Sequence, residues 1–186
     1  MTYVSKLASA LIAVVLVSCG GEVLPKPKAF LSLDYDKSSY EKQETPCAFN
    51  FEMNQHAKLV SNSDCSFQIE YPKMKATVYL TYQKVNNDLD KLLQVAQTAT
   101  YDHVIKADEI LEQPFMNNDK RVYGMYYKVG GDAATNARFY VTDSTKHFVV
   151  ASLYFYAKPN YDSIYPATNY IINDMRKMME SFEWNR

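Results

Sequence analysis

Across residues 137–156 (ARFYVTDSTKHFVVASLYFY), β-branched and aromatic residues crowd both sides of a short polar run, Asp143-Ser144-Thr145-Lys146. This is the pattern of two strands joined by a tight turn. In the second strand His147, Val149, Ala151, Leu153 and Phe155 fall on one face, and Phe148, Val150, Ser152, Tyr154 and Tyr156 on the other, because side chains alternate with period two. An edge strand with one face in water would alternate with charges. The pattern therefore places this strand centrally, in a sheet covered on both sides.

The rest of the chain arranges itself around that hairpin. Residues 30–35 (FLSLDY) alternate like a first strand and 36–46 read as a polar connection; 48–53 (AFNFEM) and 57–60 are expected to pair across Asn54-Gln55-His56. Residues 67–82 contain a strand broken at Pro72 and a longer one from residue 76. After the capping residues Asn86-Asn87-Asp88, Leu89, Leu92, Leu93, Ala96, Ala99 and His103 recur at helical spacing. Strands follow at 107–115 and 121–129, separated by a turn at Asn117-Asn118-Asp119 and followed by one at Gly130-Gly131-Asp132. With the hairpin they make a four-stranded antiparallel meander. From Asp162-Ser163, the residues Ile164, Ala167, Ile171, Met175, Met178 and Phe182 predict a final helix packed on the sheet, with Pro166 tolerated in its first turn. The predicted class is α+β: a central twisted antiparallel sheet covered by two helices.

The N-terminus changes the picture of where this domain works. One early lysine, Lys6, precedes an apolar run over residues 7–17 and then Ser18-Cys19, the layout of a secretory signal and too short for a spanning helix. Leu16-Val17-Ser18-Cys19 resembles the bacterial lipobox, which makes Cys19 the expected lipidation site. Residues 1–18 are then a signal peptide, 19–29 a lipidated tether rich in Gly, Pro and Lys, and 30–186 a single α+β globular domain. Removing residues 1–18 takes away one lysine and moves the formal charge from −1 to −2. Such a balance predicts no nucleic-acid partner, since several phosphates must be met by clustered basic residues. The acyl chains are the expected contact with the membrane.

Candidate chemistry is sparse. Cys47 and Cys65 sit 18 positions apart in a chain read as exported; a disulfide is expected, with two buried free thiols as the alternative. Three histidines, His56, His103 and His147, fall in no metal or catalytic spacing, so no metal and no cofactor is expected. Asp143, Ser144 and His147 could be assembled into a hydrolase triad, yet Asp and Ser are what a hairpin turn uses. The 16 tyrosines are the oddest feature of the composition, and half-buried sheet faces account for most of them. Since tyrosine combines a large ring with a hydroxyl, a few of Tyr123, Tyr126, Tyr127, Tyr154 and Tyr156 are expected to form a protein-docking face.

Taken together, VLPKPKAFLSLDY, CAFNFE, YPKMKATVYLTY, FYVTDSTKHFVVASLYF and the closing SFEW resemble the gliding-motility lipoprotein GldD family, with TDSTKHF the most specific part. The resemblance implies a periplasm-facing lipoprotein needed for gliding motility and type IX secretion, with no enzymatic activity and no catalytic motif. Its implied partners are other envelope proteins of that machinery, and its expected location is the inner side of the outer membrane. By fold analogy the elements also look like the Mog1/PsbP-type sandwich. A periplasmic small-ligand-binding lipoprotein is the alternative; it requires a concave aromatic pocket between sheet and helix.

Overall fold

The computed structural model describes residues 34–62, 64–102, 107–156 and 161–185. Cys19, the signal peptide and the tether lie outside the described residues, as does His103. Seven strands build one antiparallel sheet, in the order β3 (Lys58–Ser61), β4 (Phe67–Tyr71), β5 (Ala76–Lys84), β9 (His147–Phe155), β8 (Ala137–Thr142), β7 (Val122–Gly131) and β6 (Ala107–Asn117). A smaller antiparallel sheet joins β1 (Tyr40–Gln43), β2 (Phe49–Asn54) and β10 (Glu183–Trp184). Two α-helices complete the fold among the described residues, α1 (Leu89–Tyr101) and α2 (Tyr161–Ser181). The architecture is α+β, and β9 is the middle strand of seven, paired along its whole length with β5.

One face of the large sheet is closed. Val149, Ala151 and Leu153 of β9 share a core with Ile171, Met175 and Met178 of α2 and with Phe49 and Phe51 of β2. Phe49 stacks on Phe182 with centroids 5.0 Å apart and meets Phe67 and Trp184 edge-on at 5.8 and 6.4 Å. Burying each such ring contributes about 2–3 kcal/mol. The opposite face is covered only in part. There α1 packs Leu92, Leu93 and Ala96 over Phe148, Val150 and Tyr140, while Tyr154 and Tyr156 at the far end are 37% and 64% exposed. The closed face carries both α2 and the small sheet, whereas among the described residues α1 alone packs on the other, over the start of β9.

Several local expectations are corrected. Of the strand expected at 30–35, residues 30–33 lie outside the described residues and Asp34 and Tyr35 form no strand; the first described strand is β1, inside the stretch read as a polar connection. Its sequence, YEKQ, carries no apolar alternation because it is an edge strand, half wet on both faces. β2 and β3 do not pair: β2 lies between β1 and β10, while β3 starts the large sheet. The chain changes sheets at Asn54, whose buried amide is bound to α2 through Asp174 at 2.8 Å. Gly130 and Gly131 end β7, and the turn follows at residues 132–136, where the Asn136 amide donates to the carbonyls of Val129 and Gly131 at 3.1 Å. The Asp88 side chain accepts from the Asn86 N–H at 2.7 Å and makes no cap bond to α1. Pro166 is the sixth residue of α2, beyond the first turn, so an intrahelical bond is missing there.

The sulfur atoms of Cys47 and Cys65 are bonded, with Cα atoms 5.8 Å apart. Cys47 precedes β2 of the small sheet and Cys65 precedes β4 of the large one. The link therefore ties the two sheets on the closed face.

Candidate functional site

The Asp143 carboxylate is occupied by its own turn. It accepts the backbone N–H groups of Thr145, Lys146 and His147 at 2.9, 2.7 and 2.9 Å, and the Thr145 hydroxyl at 2.9 Å. Burial pushes this carboxyl up, but the donors from Lys146, His147 and Thr145 outweigh it and hold the group down at about 2. The His147 ring turns elsewhere: Nδ1 lies 2.9 Å from the Tyr82 hydroxyl, and the ring stacks on Trp184 at 5.3 Å. Asp143 thus meets the main chain of His147 and not its imidazole. A nucleophile, base and orienter are not aligned here.

A second polar cluster lies where α2 crosses the small sheet. Asp174, 1% exposed, accepts from the Ser38 and Tyr40 hydroxyls at 3.1 and 2.8 Å and from the Asn54 amide at 2.8 Å. Burial, offset in part by Ser38 and reinforced by Asp174, pushes the Tyr40 hydroxyl up to about 12. Tyr170 donates to the Asp36 carbonyl at 2.9 Å and receives the Asn54 amide at 2.8 Å. Buried carboxylates survive where donors surround them. These donors fasten β1 and the segment before it to α2, and a cavity of about 80 Å³ beside them is lined by Tyr35, His56, Tyr71, Lys73 and Tyr170.

The five tyrosines from which a docking face is expected fall in different places in the structure. Tyr126 is fully buried on the closed face, where its hydroxyl donates to the Ile172 carbonyl at 3.1 Å and Arg176 lies 5.7 Å from its ring. Tyr127 is 3% exposed on the opposite face, its ring 6.4 Å from Tyr140. Consecutive residues of a central strand point to opposite layers, so the pair cannot share a surface. Tyr123 is half-buried. Tyr154 and Tyr156 are exposed, and with Tyr79 they form a ring shelf: Tyr79 meets Tyr154 edge-on at 5.8 Å, and its hydroxyl lies 3.1 Å from that of Tyr156.

Between this shelf and α1 runs a polar row that no local sequence pattern announces. Register aligns Gln68 of β4, Tyr79 of β5, Ser152 of β9, Arg138 of β8, Tyr127 of β7 and Glu112 of β6 across six strands. Glu112 is held by the Tyr101 hydroxyl from the end of α1. Arg138, half-buried at the centre, has no hydrogen bond or ion pair among the described residues, and its Nε is fully buried without a partner. Burial lowers the pKa of its guanidinium, which remains a cation at neutral pH. A groove of about 250 Å³ opens here, lined by Tyr79, Thr81, Gln83, Arg138, Ser152 and Tyr154 on the polar side and by Leu92, Val95, Ala96, Phe148 and Val150 on the apolar side. The signal in the sequence was Arg138 itself, the one formal charge in the strand ARFYVT.

Among the described residues no cluster of metal-ligating side chains occurs, and no helix is long and apolar enough to cross a membrane. Comparison with curated proteins gives no match. The family model for the gliding motility lipoprotein GldD matches residues 20–184, from just after Cys19 through β10; the chain belongs to that family.

Proposed function

We propose that the protein is a non-enzymatic accessory component of the cell-envelope machinery for gliding motility and type IX secretion. Acyl chains on Cys19 hold it at the periplasmic side of the outer membrane, and it works through contacts with other envelope proteins of that machinery. The family match over residues 20–184 carries this reading. The Asp143 turn supports the absence of catalysis, because its carboxylate is spent on main-chain donors. The contact surface is assigned to the open face at Tyr79, Tyr154 and Tyr156; Tyr126 and Tyr127 are removed from it by burial.

Deletion of the gene in its own host, scored for colony spreading and for the secreted protein profile together, tests the assignment. Loss of both, restored by the intact gene, is the expected result. Normal spreading and secretion overturn it. A Cys19→Ser copy is expected to fail in the same assay and to leave the membrane fraction. A second reading, a small-ligand-binding lipoprotein, is favoured by one observation, the groove beneath α1.

A further inference from the structure

The groove beneath α1 has the composition of a binding site for one negative charge on an apolar body. None of the residues lining it is acidic, and Arg138 is the only formal charge among them. The row places the Ser152 and Tyr127 positions directly across from Arg138, with Tyr79 next beyond Ser152. The carboxylate in this row, Glu112, stands two strands away, at about 10 Å by strand spacing. A half-buried guanidinium with an unpartnered Nε is expensive to keep, since desolvation of a charge is normally offset by a partner. Thr81, Ser152, Tyr79 and Tyr154 add hydroxyls.

We propose that this groove binds a small organic carboxylate, its charged group paired with Arg138 and its apolar body lying against Leu92, Val95 and Val150, the apolar lining that α1 leaves accessible. A planar guanidinium matches a carboxylate in fork geometry. A phosphate dianion would call for a second cation or a helix N-terminus aimed at it, and the lining supplies no second cation. The volume, about 250 Å³, lies just below the usual range of roughly 300–1,000 Å³ for ligand pockets, so the ligand is small. Tyr79 and Tyr154 line this groove and also belong to the contact surface proposed above; the carboxylate site rests on Arg138 and not on those protein contacts, so its titration can fail without touching them.

The test is a titration of the full chain in a non-ionic detergent with phenylacetate and with 2-phenylethanol, which share a body and differ in charge. Binding is read from NMR signals of the groove residues and of the Arg138 Nε–H. Phenylacetate is expected to bind at least about tenfold more tightly than the alcohol and to shift the Nε–H signal. R138Q is expected to erase the preference. V95E, at a position 57% exposed on the rim, adds a carboxylate to a groove whose lining holds Arg138 as its one formal charge and is expected to erase the preference in a fold whose melting is unchanged. Equal affinity for the two probes overturns the proposal. So does a preference that survives both substitutions, or no binding of phenylacetate at concentrations on the order of 10 mM.

Discussion

Beneath α2 the large sheet meets a second layer of phenylalanines and methionines. Beneath α1 the same sheet, on the same strands, meets a short helix, a row of hydroxyls and an unpaired arginine. Phe139 and Arg138 are neighbours in β8, yet one is fully buried in the aromatic core and the other lines a groove. The closed face fixes the fold, and the open face is where the protein can meet something else. Stability and recognition are separated by the thickness of a single strand, because alternation lets each face be selected independently.

The sharpest way to break this contrast is to damage the closed face. Phe49→Ala removes the ring shared by Phe51, Phe67, Phe182 and Trp184, and it is expected to cost about 3–5 kcal/mol in urea unfolding. Loss of the Cys47–Cys65 bond by paired substitution to alanine is expected to cost about 3 kcal/mol in the same assay, for an 18-position loop. Alkylation of the unreduced, denatured protein should find neither of these two thiols reactive.

Asp143 gives a smaller effect with a pH signature. Its folded pKa, about 2, lies below the ordinary value of 3.8, so its contribution is fully present above about pH 4–5 and is lost as pH falls toward 2. Asp143→Asn is expected to lower stability at pH 7 by on the order of 2 kcal/mol. It should also flatten the acid limb of a stability profile between pH 5 and 2.

The smallest expected change carries the opposite sign. Arg138→Met removes a half-buried charge that has no partner among the described residues, and it is expected to leave stability unchanged or raise it by up to about 1 kcal/mol. A loss of 2 kcal/mol or more would mean that Arg138 supports the fold, and the division between the two faces would fail at its centre.

Strong periodic patterns were legible in the sequence. β9 could be placed at the middle of its sheet because both of its faces are free of formal charge, and α2 was plain from its Met and Ile spacing. β1 was hidden because an edge strand needs no apolar alternation. The pairing of β2 with β10 was hidden because those strands meet across more than 130 residues, and no local signal reports such a contact. Which of the five candidate tyrosines are exposed was hidden for a related reason. Composition says that a tyrosine prefers a half-buried place, but only the layer opposite it decides whether Tyr126 is core or Tyr156 is surface.

By itself the sequence determined the α+β class, the meander, the helices, the candidate anchor at Cys19 and the family resemblance, since each is written in local spacing or in contiguous motifs. Tertiary structure alone decided that the sheet is closed on one face and half open on the other. That outcome depends on which elements pack on each face, α2 with the small sheet on one and α1 on the other. It also decided that Arg138 would line the groove beside α1 with no partner among the described residues, because which charges meet is settled only when strands distant in sequence fall into register.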